Sequence, residues 1–111
     1  MDNTQISDMT LNDFYEIEPI YNSDFDDFWK TSNLKSELEN INSKYIVARL
    51  DNKIVGFAGI WFSVDDVHIT NIVVHKNYRH HGIGSLLLEK LIELAKVKDS
   101  ITLEVNTKNI Y

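Results

Sequence analysis

Val67-His-Ile-Thr-Asn-Ile-Val-Val-His75, then Lys76-Asn-Tyr-Arg79-His-His-Gly82-Ile-Gly84, then Ser85-Leu-Leu-Leu-Glu-Lys-Leu-Ile-Glu-Leu-Ala95-Lys-Val-Lys98: the reading of this run decides the fold. It reads as a strand, a short loop ending in Gly-x-Gly, and a helix. In the helix, Leu87, Leu91 and Leu94 make one stripe, Leu88, Ile92 and Ala95 lie beside it, and Ser85, Glu89, Glu93 and Lys96 lie opposite. More than half the circumference is apolar, so the helix packs flat on a sheet. Lys96 and Lys98 stand at its C-terminal end, where the macrodipole favours cations. Its start carries unpaired N–H groups and a partial positive charge. Gly82 and Gly84 let a ligand come close to that start. The strand, loop and helix therefore imply an anion site, and a pyrophosphate suits it.

The residues before this run are a meander. Tyr45–Leu50 is one strand, Asp51-Asn-Lys53 a turn, Ile54–Phe62 the next strand, and Ser63–Asp66 another turn. Short turns make these strands antiparallel. Gly56 and Gly59 interrupt the second strand and imply a bulge or the close approach of another backbone. After the helix, Ile101-Thr-Leu-Glu-Val105 reads as a last strand, reached by a helical crossover and so parallel to its neighbour.

Toward the N-terminus, Gln5–Met9 reads as a short strand. Leu11, Phe14, Tyr15, Ile17 and Glu18 follow at helical spacing, with Thr10 or Asn12 as N-cap, until Pro19 bends or ends the helix. Asn22–Asp27 is an acidic loop. Phe25, Phe28 and Trp29 read either as core anchors under that loop or as the wall of a substrate channel. Ser32–Ile41 is a second helix with Leu34, Leu38 and Ile41 on one face. The fold class is α/β (α+β): a mixed, mainly antiparallel sheet flanked by helices, one domain over residues 1–111.

Composition narrows the function. The chain has 111 residues, 43% hydrophobic and 25% charged, with a net charge of −6 and no basic block, which argues against a general nucleic-acid binder. There is no cysteine, so disulfides, thiolate nucleophiles and zinc–thiolate sites are excluded. No apolar run approaches the ~20 residues that span a bilayer, and no signal-peptide pattern opens the chain, so a cytoplasmic location is expected. His68, His75, His80 and His81 lack acidic or cysteine partners at ligand spacing, and no metal is expected.

The segments Ile69-Thr-Asn-Ile-Val-Val74, Arg79-x-x-Gly82-x-Gly84, the leucine-rich helix and Leu103-Glu104-Val105 with Asn109 together resemble the GNAT superfamily of N-acetyltransferases. Within it the chain is most similar to the ribosomal-protein alanine N-acetyltransferases (RimI type). The resemblance covers Ile41 to Tyr111 well and the first forty residues loosely. It implies acetyl-CoA as cosubstrate, its pyrophosphate held by Arg79, His80, His81, Gly82, Ile83, Gly84 and Ser85. It implies that the pantetheine arm lies along Ile72, Val73 and Val74, and that Asn109 touches the cofactor. It also implies a bulge in this strand, with a freed N–H that bonds the thioester oxygen.

Glu104 stands where the family places the base. By spacing alone it reads as a solvent-facing residue on an edge strand; the resemblance makes it the group that deprotonates the amine. A terminal α-amine (pKa about 7.7–8.0) yields its proton more easily than lysine (about 10.4), by about 3–4 kcal/mol. A protein N-terminal alanine, such as that of a small-subunit ribosomal protein, is the expected acceptor. A small-molecule amine or a lysine, or a non-catalytic CoA-binding role, remain the alternatives.

The sequence departs from the family in places. Lys76 stands where proline is frequent, and His80 and His81 replace the usual loop residues; they read as exposed loop histidines or as partial positive charge near phosphate. The family continues past Asn109 with a helix, whose tyrosine protonates the leaving thiolate, and a β-hairpin. The chain stops at Tyr111, too early to be that tyrosine, so a C-terminally incomplete domain is expected. An uncovered sheet edge at Ile101–Val105 would favour a homodimer or strand exchange, which a concentration-independent monomer mass by light scattering would refute.

Overall fold

The computed structural model describes residues 4–21, 31–63 and 66–96. Among the described residues four strands form one antiparallel sheet in the order β1-β2-β3-β4: β1 (Thr4–Asp8), β2 (Ser43–Leu50), β3 (Lys53–Phe62) and β4 (Val67–Val74). Among the described residues three α-helices flank it: α1 (Leu11–Ile17), α2 (Thr31–Glu39) and α3 (Ile83–Ala95). The aromatic group Phe25, Phe28 and Trp29, the acidic loop, Lys98, the strand expected at Ile101–Val105 with its edge, Glu104, Asn109 and Tyr111 lie outside the described residues.

Both sheet faces are buried, and alternation sorts the strand residues between them. One face packs Ile46, Ala48, Ala58, Ile60, Val67, Ile69, Ile72 and Val74 against Ile83, Leu87, Leu91 and Ala95 of α3. The other packs Tyr45, Val47, Phe57 and Val73 against Phe14 and Ile17 of α1 and Leu34 of α2. The fully buried stripe of α3 is narrower than its apolar surface: Leu88 and Leu94 are only partly buried at its flanks.

Local chemistry explains the connections. Asp51 and Asn52 both take positive φ, 51° and 68°, which is the turn that matches the twist of a hairpin. Thr10 caps α1, its Oγ1 accepting from Asp13 N–H while Asp13 Oδ2 accepts from Thr10 N–H at 2.9 Å. The other Asp13 oxygen pairs with Arg49 of β2, so one buried carboxylate both caps the helix and ties it to the sheet. Thr10→Ala is expected to cost about 1 kcal/mol, seen as a lower urea midpoint at unchanged m value; an unchanged midpoint would show the cap to be idle. Pro19 ends α1 in a short 3-10 turn, Glu18–Ile20.

Ile41 is not on the core face of α2. The helix stops at Glu39, Asn40 Oδ1 accepts from Asn42 N–H at 2.9 Å, and the resulting turn leaves Ile41 96% exposed.

The sheet carries two irregularities. Between β2 and β3, Ala48 faces Gly56 and Arg49 faces Ile54, so Val55 is the extra residue. Between β3 and β4, Gly59 faces Asn71 and Ile60 faces Ile69, so Thr70 is the extra residue. The glycines of β3 mark close approaches. The ring of Tyr45 lies over Gly59, and α3 residues Ile83 and Leu87 lie over Gly56.

Candidate active site

The site is organised along β4, which stands at the sheet edge among the described residues. One end of β4 leads into the glycine loop. The loop is rigidly rooted. His75 is buried; its N–H donates to Val55 O at 2.8 Å and its Nδ1 accepts from Asn77 N–H at 3.1 Å. A short 3-10 turn (Lys76–Tyr78) follows, and Lys53 Nζ sits 5.4 Å from the centre of the Tyr78 ring. Arg79 folds back so that its Nε donates to Val74 O at 3.1 Å.

His80 and Gly82 then take left-handed φ, 68° and 83°, and the chain enters α3. Only Gly82 of the loop glycines uses positive φ; Gly84 is already helical. Gly82 is the N-cap and supplies no side-chain capping bond, and the first turn of α3 holds no acidic residue. Leu86 N–H makes the first bond back to Gly82 O, which leaves the N–H groups of Ile83, Gly84 and Ser85 outside the helical ladder. His80, His81, Gly82 and Ser85 are exposed around this point. A bound phosphate fits such an uncapped, exposed start. Lys76 and the two loop histidines are exposed, as their residue types suggest.

Ile72, Val73 and Val74 have buried side chains, which leaves their backbone edge for a partner laid along the strand. Thr70 is four residues before Val74, roughly 13 Å at ~3.3 Å per residue. The Thr70 bulge thus lies a strand's length from the phosphate end.

The far end of β4 holds a cavity of about 400 Å³ lined by Glu37, Trp61, His68 and Thr70. Trp61 and His68 face each other across β3 and β4, their rings 5.4 Å apart. Next to Thr70, Asn71 is 1% exposed, and its carboxamide has no hydrogen-bond partner among the described residues. A buried amide without partners is costly, and such groups gather at sites where a ligand satisfies them. From the sequence, His68 is weighed only as a metal ligand, Thr70 and Asn71 enter only as part of the strand motif, and Glu37 and Trp61 are given no role. The one signal was local: Thr70-Asn71 puts two polar residues next to each other in a strand that is mostly apolar and buried.

No group of three or more His, Asp or Glu residues poised to hold a metal occurs among the described residues. No described helix is long and apolar enough to cross a membrane.

The acetyltransferase (GNAT) family model matches residues 14–111. The chain belongs to the GNAT acetyltransferase family. A curated relative in Bacillus subtilis (strain 168), a putative ribosomal protein bS18-alanine N-acetyltransferase, is 35% identical over 107 residues, which is 94% of this chain and 71% of that protein. The crystal structure of the ribosomal-protein-S18-alanine N-acetyltransferase from Escherichia coli superposes with a TM-score of 0.78 at 26% identity, covering 96% of this chain and 69% of that one. The PaiA N-acetyltransferase from Thermoplasma acidophilum, solved in complex with coenzyme A, shares the fold with a TM-score of 0.72 at 16% identity, covering 96% and 81%. For this GNAT acetyltransferase, the four antiparallel strands and flanking helices of the described residues match the fold of these solved relatives, and acetyl-CoA is the group donor the family implies.

Proposed function

We propose that this acetyltransferase transfers the acetyl group of acetyl-CoA to the α-amine of a protein N-terminal alanine, that of a small-subunit ribosomal protein. The similarity to the Bacillus subtilis bS18-alanine N-acetyltransferase along nearly the whole chain carries the acceptor assignment. Such an acceptor goes with a cytoplasmic place of action.

The residues divide the work along β4. The N–H groups from His80 to Ser85, with Arg79 at the loop's entry, hold the pyrophosphate at the start of α3. The backbone edge of Ile72, Val73 and Val74 holds the pantetheine arm. The backbone N–H at the Thr70–Asn71 bulge stabilises the oxyanion as the amine nitrogen attacks the thioester carbonyl. Glu104 takes the proton from the amine, the carbon–sulfur bond breaks, and CoA leaves as the thiolate, which is then protonated. Asn109 contacts the cofactor. The carboxamide of Asn71 takes a main-chain group of the acceptor beside the bulge.

Two measurements test this. Acetyl-CoA should raise the melting temperature where ATP and NAD do not, since a ligand at 100 times its Kd adds about 2.7 kcal/mol to the native state. Thiol release should then follow addition of an alanine-starting peptide. Stabilisation by acetyl-CoA with no thiol release from any amine would instead establish a CoA-binding protein without turnover.

Gly82→Ala probes the phosphate end. A Cβ there meets no protein atom within 4 Å, so the cost is that of a left-handed φ, about 1–2 kcal/mol. A modest fall in melting temperature is expected, with an acetyl-CoA-induced shift clearly smaller than the parent's. An unaltered shift would move the pyrophosphate away from the N-cap.

A further inference from the structure

The cavity at the Thr70 bulge differs chemically from the face it opens on. Phe57, Val73 and Leu34 of the core cluster are apolar and buried, whereas the described residues that line the cavity are Glu37, Trp61, His68 and Thr70, each with a polar group. Glu37 is held in place because its Oε2 accepts from Ser43 Oγ at 2.6 Å. Among the described residues no lysine or arginine pairs with it. Lys44 pairs with Asp8, Arg49 with Asp13 and Glu16, and Lys90 with Glu93. The carboxylate is therefore oriented by a hydroxyl and, among the described residues, has no counter-charge. Trp61, 38% exposed, lines the same cavity. A fixed carboxylate that accepts hydrogen bonds, beside an accessible indole face, suits an ammonium or guanidinium group.

We propose that this cavity is a specificity subsite that takes a lysine or arginine side chain close to the acceptor's amino terminus. The inference rests on the acceptor reading above. Thr70 belongs both to the bulge, where the amine reacts, and to the cavity wall. The side chain that enters the cavity thus belongs to the chain whose amine is acetylated. His68 lies two residues further along β4, roughly 7 Å from Thr70. The side chain of the acceptor's second or third residue spans that distance.

The test is a set of alanine-starting peptides, identical except for Arg, Lys, Gln or Glu at the second or at the third position, assayed by thiol release. The parent should favour Arg and Lys over Gln by about tenfold in kcat/KM, largely through KM, with Glu poorest. Glu37→Gln should erase that preference and Glu37→Lys should invert it, both variants keeping the acetyl-CoA-induced rise in melting temperature. Equal kcat/KM for all peptides on the parent would overturn the subsite and leave the acceptor reading standing. A loss of kcat for every peptide alike in Glu37→Gln would also overturn it, by making Glu37 part of the chemical step. Turnover of none of the peptides would overturn the acceptor reading and the subsite together.

Discussion

Glu104→Gln is expected to lower acetyl transfer by about 10²–10⁴-fold while leaving the acetyl-CoA-induced thermal shift unchanged. Glutamine keeps the size and the hydrogen-bonding reach of glutamate but cannot accept a proton. An ammonium has no lone pair with which to attack, so without a base only the fraction of amine already neutral in solution reacts. That fraction grows through the ordinary α-amine pKa of about 7.7–8.0. The deficit of the variant should therefore shrink as pH rises past 8, because solvent then does the deprotonation. The parent should depend less steeply on pH over the same range. The competing reading of Glu104, a solvent-facing residue on an edge strand, requires a variant with parental kcat at neutral pH, and that result would remove Glu104 from the mechanism. Affinity for acetyl-CoA separates the two readings from simple misfolding, since a misfolded protein loses the thermal shift as well.

Gly59→Ala should be among the most destabilising single changes of the central sheet. A Cβ at this position would lie 2.3 Å from Tyr45 Cζ and 2.5 Å from both Cε atoms, far inside van der Waals contact. Tyr45 and Gly59 are paired partners on β2 and β3, so the backbone cannot slide to relieve the clash without breaking register. The ring itself is buried in the cluster under α1 and α2, and leaving that place would open a cavity there. The expected cost is on the order of 2–4 kcal/mol, a fall of roughly 10 °C in melting temperature. Tyr45→Ala should be destabilising too, by emptying the space. The double variant should cost clearly less than the two single changes added, because the added methyl then occupies vacated volume. A Gly59→Ala protein that melts with the parent would show that the ring does not rest on the glycine. The distal end of the ring lies over Gly59, and Gly59 pairs with Asn71 of β4, so displacement of Tyr45 should also disturb the bulge and lower activity in the fraction that folds.

What was legible before the structure was whatever depends on neighbours in the chain. The turn at Asp51-Asn52 could be read because both residue types tolerate positive φ. The start of α1 could be narrowed to Thr10 or Asn12, and the reciprocal bonds of Thr10 with Asp13 decided between them. The start of α3 could be placed because Gly-x-Gly before an amphipathic run is itself a local signal. Ile41 went the other way: its helical spacing from Leu34 and Leu38 was real, but Asn40 closes the helix with its own side chain, and a competing local hydrogen bond outweighs periodicity.

By itself, then, the sequence determined the strand, glycine loop and helix, the meander before them, and the chemistry of a helix start left open for an anion. These follow from side-chain alternation, backbone preference and unpaired N–H groups, all set within a few residues. Only the tertiary structure decided the position of the bulge at Thr70, since a bulge is a difference in count between two strands and neither strand carries it alone. Only the tertiary structure laid Tyr45 across Gly59, and it alone gathered Glu37 of α2, Trp61 of β3 and His68 and Thr70 of β4 around one cavity. The reason is the same in each case: the groups meet through sheet register and helix docking, which bring together residues that no sequence spacing relates.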